Sequence, residues 1–146
     1  AHRPDGLGAH RRGALIAGDM VASVGTILIA PGEGHMATYL RELQRLENLG
    51  ASVALPAHGA PIEQPSAHFR AYITHRLARE ERVLHAFSDL PGHAGTLDEL
   101  VRVAYADTPE ALWPIAKLSL EAHLVKLEDD GLVEQAAQRW VRSKPA

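Results

Sequence analysis

Apolar positions in the first third of the chain come as short unbroken runs, and later they recur at three- and four-residue steps. The run 14-ALIA-17 lies between Gly13 and Gly18, and 24-VGTILIA-30 stops at the turn pair Pro31-Gly32. Short apolar runs bounded by breakers predict buried strands. Met36, Tyr39, Leu40, Leu43, Leu46 and Leu49 then fall on one face of a helix, with Gly50 placed to end it. A strand at 52-SVAL-55 follows. Strand, strand, helix, strand predicts an α/β layer, helices packed on a sheet.

Ser66 is expected to cap a second helix, with Phe69, Ile73, Leu77, Leu84 and Phe87 on its buried face and 79-REER-82 on its wet one. The stretch 91-PGHAG-95 breaks it. Next, 96-TLDE-99 reads as a capping box, in which Thr96 accepts from the third helical amide and Glu99 reaches back. Leu97, Leu100, Val101 and Ala104 form a short stripe, and Thr108-Pro109 opens another helix. After Trp113-Pro114 a longer helix carries Ile115, Leu118, Ala122 and Val125 and ends near Gly131. Two strand-like runs, 131-GLVEQ-135 and 138-QRWVR-142, close the chain. Three short helices and then a β-hairpin is the winged-helix order. A polar break flanked by Pro61 and Pro65 marks the boundary, giving 1–65 as an α/β part and 66–146 as a linker helix plus a mainly helical winged-helix-like domain.

Composition narrows the class. The 146 residues are 46% hydrophobic and 23% charged, which is ordinary for a globular protein. A net charge of −3 supplies no bulk cationic field toward nucleic acid or membrane. No apolar run approaches the roughly 20 residues of a membrane span, and no signal peptide is visible. Cysteine is absent, which removes thiolate sites and fits a reducing, cytoplasmic setting. The chain opens on 1-AHRPDG-6 with no initiator Met, so it is expected to be a piece of something longer.

Chemistry gathers at two strand ends. Strand 14-ALIA-17 runs into 18-GD-19, and 53-VAL-55 runs into 56-PAHG-59. In open α/β sheets ligands collect outside the carboxyl ends of strands. Asp19 and His58 could share a metal there, since carboxylate and neutral imidazole suit zinc at about 2.0–2.2 Å. The plain alternative is that Asp19 caps a turn and His58 sits on the surface. Of the other histidines, His68, His75 and His85 read as surface or interface residues and His123 as half-buried packing, and His35 beside 32-GEG-34 has a plain reading too, with approach to a substrate pocket as the lesser alternative. Ser23 and Thr26 are pocket-lining candidates, with no His-Asp relay to make Ser23 a nucleophile.

Taken together, 14-ALIAGDMV-21 followed by 56-PAHG-59 resembles the metallo-β-lactamase superfamily. In that family a strand ending in GD supplies a bridging aspartate, and a later PxHG-like turn supplies a histidine. The string 2-HRPDGL-7 is similar to the upstream histidine turn, which makes His2 the matching ligand, although Arg3 stands where the family has a small residue and Ala1 where it has Gly. The run 26-TILIAPGEGHMATYLREL-43, 74-THRLARE-80, the TLDEL box and 122-AHLVKLEDDGLV-133 resemble the branch of β-lactamase-like-protein-2 type hydrolases, related to glyoxalase II. The family signature H-x-H-x-D-H is not in this sequence.

The resemblance therefore implies the C-terminal half of an αββα sandwich followed by a winged-helix tail. It implies a metal-dependent hydrolase of esters, thioesters or phosphodiesters, acting on a small-molecule or RNA substrate and inactive without an N-terminal half. It implies two zinc ions, with manganese or iron as alternatives, held in part by His2, Asp19 and His58, and a hydroxide bridging the metals as nucleophile. This chain alone would bind zinc weakly or not at all. The tail is expected to serve packing, a pocket wall or a homo-oligomer contact. The alternative function is a winged-helix interaction or nucleic-acid-binding module. Against it, residues 88–146 hold ten acidic and six basic side chains, whereas a DNA-reading face is basic.

Overall fold

The computed structural model describes residues 14–18 (backbone only), 36–56 and 60–143. They divide into two compact units. One draws on 14–18, 38–56 and 60–76, and the other on 36–37 and 77–143. The expected strand over 24–30 lies outside the described residues.

The first unit holds a three-stranded sheet. Strand β1 (Ala14–Gly18) runs parallel to β2 (Val53–Pro56), and β2 pairs antiparallel with the short β3 (Ile62–Glu63). Parallel neighbours need a crossover, and helix α1 (Met36–Leu49) lies on it in sequence. Its buried positions are Met36, Tyr39, Leu43 and Leu46, the expected stripe. Leu49, 42% exposed, falls off that stripe at the helix end. Gly50 follows at φ 66°, the left-handed conformation that stops a helix and that glycine adopts without a Cβ clash.

Helix α2 (Pro65–Ala86) begins one residue before the expected cap. Ser66 is inside the helix, and its hydroxyl donates to the Glu47 carbonyl at 2.8 Å while Arg70 reaches the Glu47 carboxylate at 2.6 Å. Ser66 thus fastens α2 to the end of α1 instead of capping its own helix. The buried face of α2 is also rotated from the expected one. Phe69, Tyr72, Arg76, Glu80, Val83 and Ala86 are buried, whereas Leu77 is 47% exposed. Two charged residues occupy a core stripe, so the apolar pattern alone misplaces the face.

The second unit follows the winged-helix order. A short 3₁₀ turn and β4 (Ala94–Gly95) lead into α3 (Leu97–Ala104). The expected capping box is formed: Thr96 Oγ1 accepts from the Glu99 amide at 3.2 Å, and Glu99 accepts from the Thr96 amide at 2.9 Å. The expected middle helix is a single 3₁₀ turn, Glu110–Leu112. Only three residues separate the extended Pro109 from helix α4 (Trp113–Asp129), which carries Pro114 in its first turn. Trp113 Nε1 donates to the carbonyls of Tyr105 and Thr108, both at 3.1 Å, and ties that turn down.

On α4 the buried residues are Ser119, Leu120, Ala122, His123, Leu124 and Leu127. Ile115 and Leu118, expected inside, are 53% and 41% exposed. The helix ends in a Schellman pair: Leu132 N–H bonds the Leu127 carbonyl and Gly131 N–H the Glu128 carbonyl, with Gly131 at φ 79°. Strands β5 (Val133–Ala136) and β6 (Arg139–Arg142) form the expected hairpin, and β4 pairs with β6 to make an antiparallel sheet in the order β4-β6-β5. Phe87, Leu100, Leu120, Leu124, Val133 and Trp140 form the centre of this unit's core.

Candidate functional site

Parallel pairing of β1 and β2 sets their carboxyl ends side by side. The register runs Ala14↔Val53, Leu15↔Ala54 and Ile16↔Leu55, then slips so that Gly18 stands opposite Pro56. Asp19 follows Gly18 directly, and His58 comes two residues after Pro56. The two strands therefore end side by side at one end of one sheet, the location at which open sheets bind ligands. Asp19, His58 and His2 themselves lie outside the described residues, as do Ser23, Thr26 and His35. Among the described residues, no group of three or more His, Asp or Glu side chains could hold a metal ion. Carboxylate and imidazole together are the donor chemistry of zinc sites.

The second unit contains a buried ionic cluster that the apolar pattern does not reveal. Glu80 on α2 lies between His123 and Lys126 on α4. Its Oε2 is 3.3 Å from His123 Nδ1 and its Oε1 accepts from Lys126 Nζ at 2.8 Å. His123 is fully buried rather than half-buried. Burial raises the Glu80 pKa, but hydrogen bonds from His123 and Lys126 overcome it and hold the carboxyl below its ordinary value. The partners of Glu80 lie 43 and 46 residues away in sequence, so its place on a core stripe has no local signal. Only the i, i+3 spacing of His123 and Lys126 hints at a shared partner.

Several basic residues that could meet nucleic acid are engaged with acidic partners among the described residues. Arg79 binds both Asp107 oxygens and the Ala104 carbonyl, with its guanidinium 4.4 Å from the Tyr105 ring centroid. Arg82 also binds Asp107, at 2.8 Å. On α4, Lys117 pairs with Asp98 at 2.6 Å, and Lys126 is shared by Glu80 and Asp130. An open groove of about 440 Å³ between α3 and α4 is lined by Thr96, Asp98, Lys117, Leu118, Glu121 and Gln138, a mixed rather than a cationic surface. No helix among the described residues is long and apolar enough to cross a membrane.

A parallel strand pair crossed over by a helix, followed by a winged helix, defines a mixed α/β domain with a winged-helix tail. Residues 96–140 match the β-lactamase associated winged helix domain. The chain is 32% identical over 123 residues to a β-lactamase-like protein 2 homolog of Drosophila melanogaster, covering 84% of this chain and 41% of that protein. It is 32% identical over 138 residues to the lactamase-like protein vrtG of Penicillium aethiopicum, covering 87% and 44%. Among solved structures it is similar to a metallo-β-lactamase family protein from Thermus thermophilus, with TM-score 0.74, 27% identity and coverage of 92% of this chain and 43% of that one. A β-lactamase domain protein from Burkholderia ambifaria shares the fold at TM-score 0.75 and 24% identity, over 90% and 42%. The chain is thus similar to the C-terminal portion of metallo-β-lactamase-fold proteins, with the β-lactamase associated winged helix as its tail. It spans less than half the length of the curated relatives it matches.

Proposed function

We propose that this chain is the C-terminal part of a metal-dependent hydrolase in which His2, Asp19 and His58 are metal ligands. The observation that carries the reading is the register of β1 and β2, which ends both strands together just before Asp19 and His58. In this reading the Asp19 carboxylate and the His2 and His58 imidazoles would hold the metal. Zinc is the first choice for this donor set, with manganese or iron as alternatives. Bound there, the ions would lower the pKa of a coordinated water and polarise the scissile carbonyl or phosphoryl oxygen.

The chain's own contribution is positional. A sheet end fixes the spacing between two ligand-bearing turns better than a free loop would. The Gly residues beside Asp19 and His58 leave room for close backbone approach. The substrate class is an ester, thioester or phosphodiester, and the remaining ligands come from an H-x-H-x-D-H segment in the whole protein. The winged helix acts as a wall or an oligomer contact, consistent with its paired basic residues. The test is metal content of the protein carrying an upstream H-x-H-x-D-H segment, for the wild type and for Asp19→Ala and His58→Ala. Two ions per chain in the wild type and loss in both variants is the expected result. Full retention of metal in both variants would remove these residues from the site.

A further inference from the structure

The outer side of α4 is apolar over its first turns. Leu112, which closes the 3₁₀ turn before the helix, is 48% exposed, and the exposed Ile115 and Leu118 follow at three-residue steps. Pro114 between them is exposed as well. Three-residue steps keep such side chains on one side of a helix. One turn beyond Leu118 the stripe enters the core at Ala122. Its first half has no cover among the described residues. Surface helices normally carry polar residues on the outer face, and a contiguous exposed apolar patch marks a contact surface.

Charge around the strip decides what fits it. Glu110 stands two residues before Leu112, and Glu121 is the next three-residue step after Leu118. The two carboxylates bracket the strip about three turns apart. Neither makes an ion pair or hydrogen bond with another described residue. The cations beside them face Asp98 instead. Lys117 binds Asp98 at 2.6 Å, and that hydrogen bond, with a smaller effect from Arg102, holds the Asp98 carboxyl below its ordinary value. Leu118 and Glu121 line the groove of about 440 Å³, Glu110 lines a second hollow of about 210 Å³, and Pro114 belongs to both. An open acid in a hollow therefore lies at each end of the apolar strip. Such a face repels a phosphate backbone. It also disfavours a second copy of the chain. Two-fold pairing about Ile115 would set Leu112 against Leu118, but it would bring Glu110 of each copy toward Glu121 of the other.

We propose that the outer face of α4 docks an amphipathic helix of a partner protein. Apolar residues at i+4 and i+7 of that helix pack on Leu112, Ile115 and Leu118, and basic residues at i and i+11 pair with Glu110 and Glu121. The proposal is independent of the metal reading, since all these residues lie in the winged-helix part and none in the strand-end turns.

The probe is a capped, alanine-rich peptide with arginine at i and i+11 and leucine at i+4 and i+7, titrated by NMR into the methyl-labelled chain. The expected result is saturable shifts centred on the methyls of Leu112, Ile115 and Leu118. The double variant Ile115→Ser, Leu118→Ser changes only exposed positions and is expected to weaken binding by about tenfold or more. Glu110→Gln and Glu121→Gln leave the strip intact, and each is expected to weaken binding by about two- to fivefold and to flatten its salt dependence. A peptide with glutamine for both arginines is expected to bind the wild type more weakly and to bind the two-glutamine variant of the chain as well as the arginine peptide does. Absence of saturable shifts overturns the proposal, and so does equal binding of the glutamine peptide to the wild type. Shifts at the strip that grow with protein concentration before any peptide is added would assign the face to a second copy. Displacement of the peptide by a single- or double-stranded oligonucleotide would assign it to nucleic acid. Either of these overturns the proposal too.

Discussion

Oε2 of Glu80 lies 3.3 Å from Nδ1 of His123, and the imidazole at that end of the contact is fully buried. An ionised carboxylate only accepts, so Nδ1 carries the shared proton. Lys126 closes the other side of Glu80 at 2.8 Å and is itself held by Asp130. The cluster clamps α2 to α4 through groups that would be costly to bury singly.

Removing Glu80 takes the carboxylate from His123 Nδ1 and leaves Lys126 with Asp130. Glu80→Ala is expected to cost about 3 kcal/mol in urea unfolding, the range for breaking one side of a buried pair. The double variant Glu80→Ala, Lys126→Met is expected to recover part of that loss. An equal or larger loss in the double variant would show that the ion pair is not what the single substitution breaks.

The same cluster sets a pH dependence. The Glu80 pKa lies below its unfolded value of 4.5 because the hydrogen bonds from His123 and Lys126 outweigh the opposing effect of burial. A depressed carboxyl contributes stability that is present above 4.5 and is lost as pH falls through the folded pKa. Wild-type stability is therefore expected to drop below 4.5 more steeply than that of Glu80→Gln. Parallel acid limbs in the two proteins would contradict this.

Arg79 joins three partners, the Asp107 carboxylate, the Ala104 carbonyl and the Tyr105 ring. Lysine keeps the charge and loses the planar fork and the stacking. Arg79→Lys is expected to destabilise the winged helix by about 1–2 kcal/mol, drawn from a bidentate bond and a cation–π contact. Thermal unfolding of the two proteins checks it, and a shift within error would mean the exposed Asp107 contributes little.

Thr96→Ala removes the side-chain half of the capping box and is expected to cost about 1 kcal/mol. Thr96→Ser keeps the accepting oxygen and is expected to stay close to wild type. Hydrogen exchange at the Glu99 amide, the donor to Thr96, reads the effect locally.

Elements defined by local chemistry are legible in the sequence. The TLDE box, Gly50, Gly131 and the 131–142 hairpin all rest on a few adjacent residues, and each stands where the pattern puts it. Faces are less legible. On α2 the stripe passes through Arg76 and Glu80, and on α4 it passes through Ser119 and His123, so a pattern of apolar residues alone turns both helices slightly. Glu80 and His123 are inside as partners of each other 43 residues apart, and a one-dimensional pattern does not register such partners. The short β4 escapes the pattern for the opposite reason: its two residues carry no periodicity, and they become a strand by pairing with β6. For the metal site, the strand ends beside Asp19 and His58 are legible and are paired in register, while the side chains lie outside the described residues.

Tyr39 gives a prediction at the alkaline end. Burial raises its hydroxyl from 10.0 to about 12, Arg76 opposes that rise, and Tyr72 adds to it. The neutral phenol is the form that the folded protein favours. A group whose folded pKa is raised contributes stability that is fully present below the unfolded value and is lost as pH rises through the folded one. Between 10.0 and about 12, then, Tyr39 should drag stability down as the unfolded chain ionises first. The whole contribution is at most about 2–3 kcal/mol, since each tenfold change in the ionisation equilibrium is worth about 1.4 kcal/mol. Lysines titrate in the same range, so the comparison must be with Tyr39→Phe, which lacks the phenol and keeps the ring that packs against Arg76. Urea midpoints across that range are expected to fall more steeply for the wild type than for Tyr39→Phe. Phenolate absorbance of the folded wild type should show one transition near 12 that the variant lacks. A folded-state transition near 10.0 for Tyr39 would mean that solvent reaches the hydroxyl, and the buried arrangement of Tyr39 and Arg76 would then be wrong.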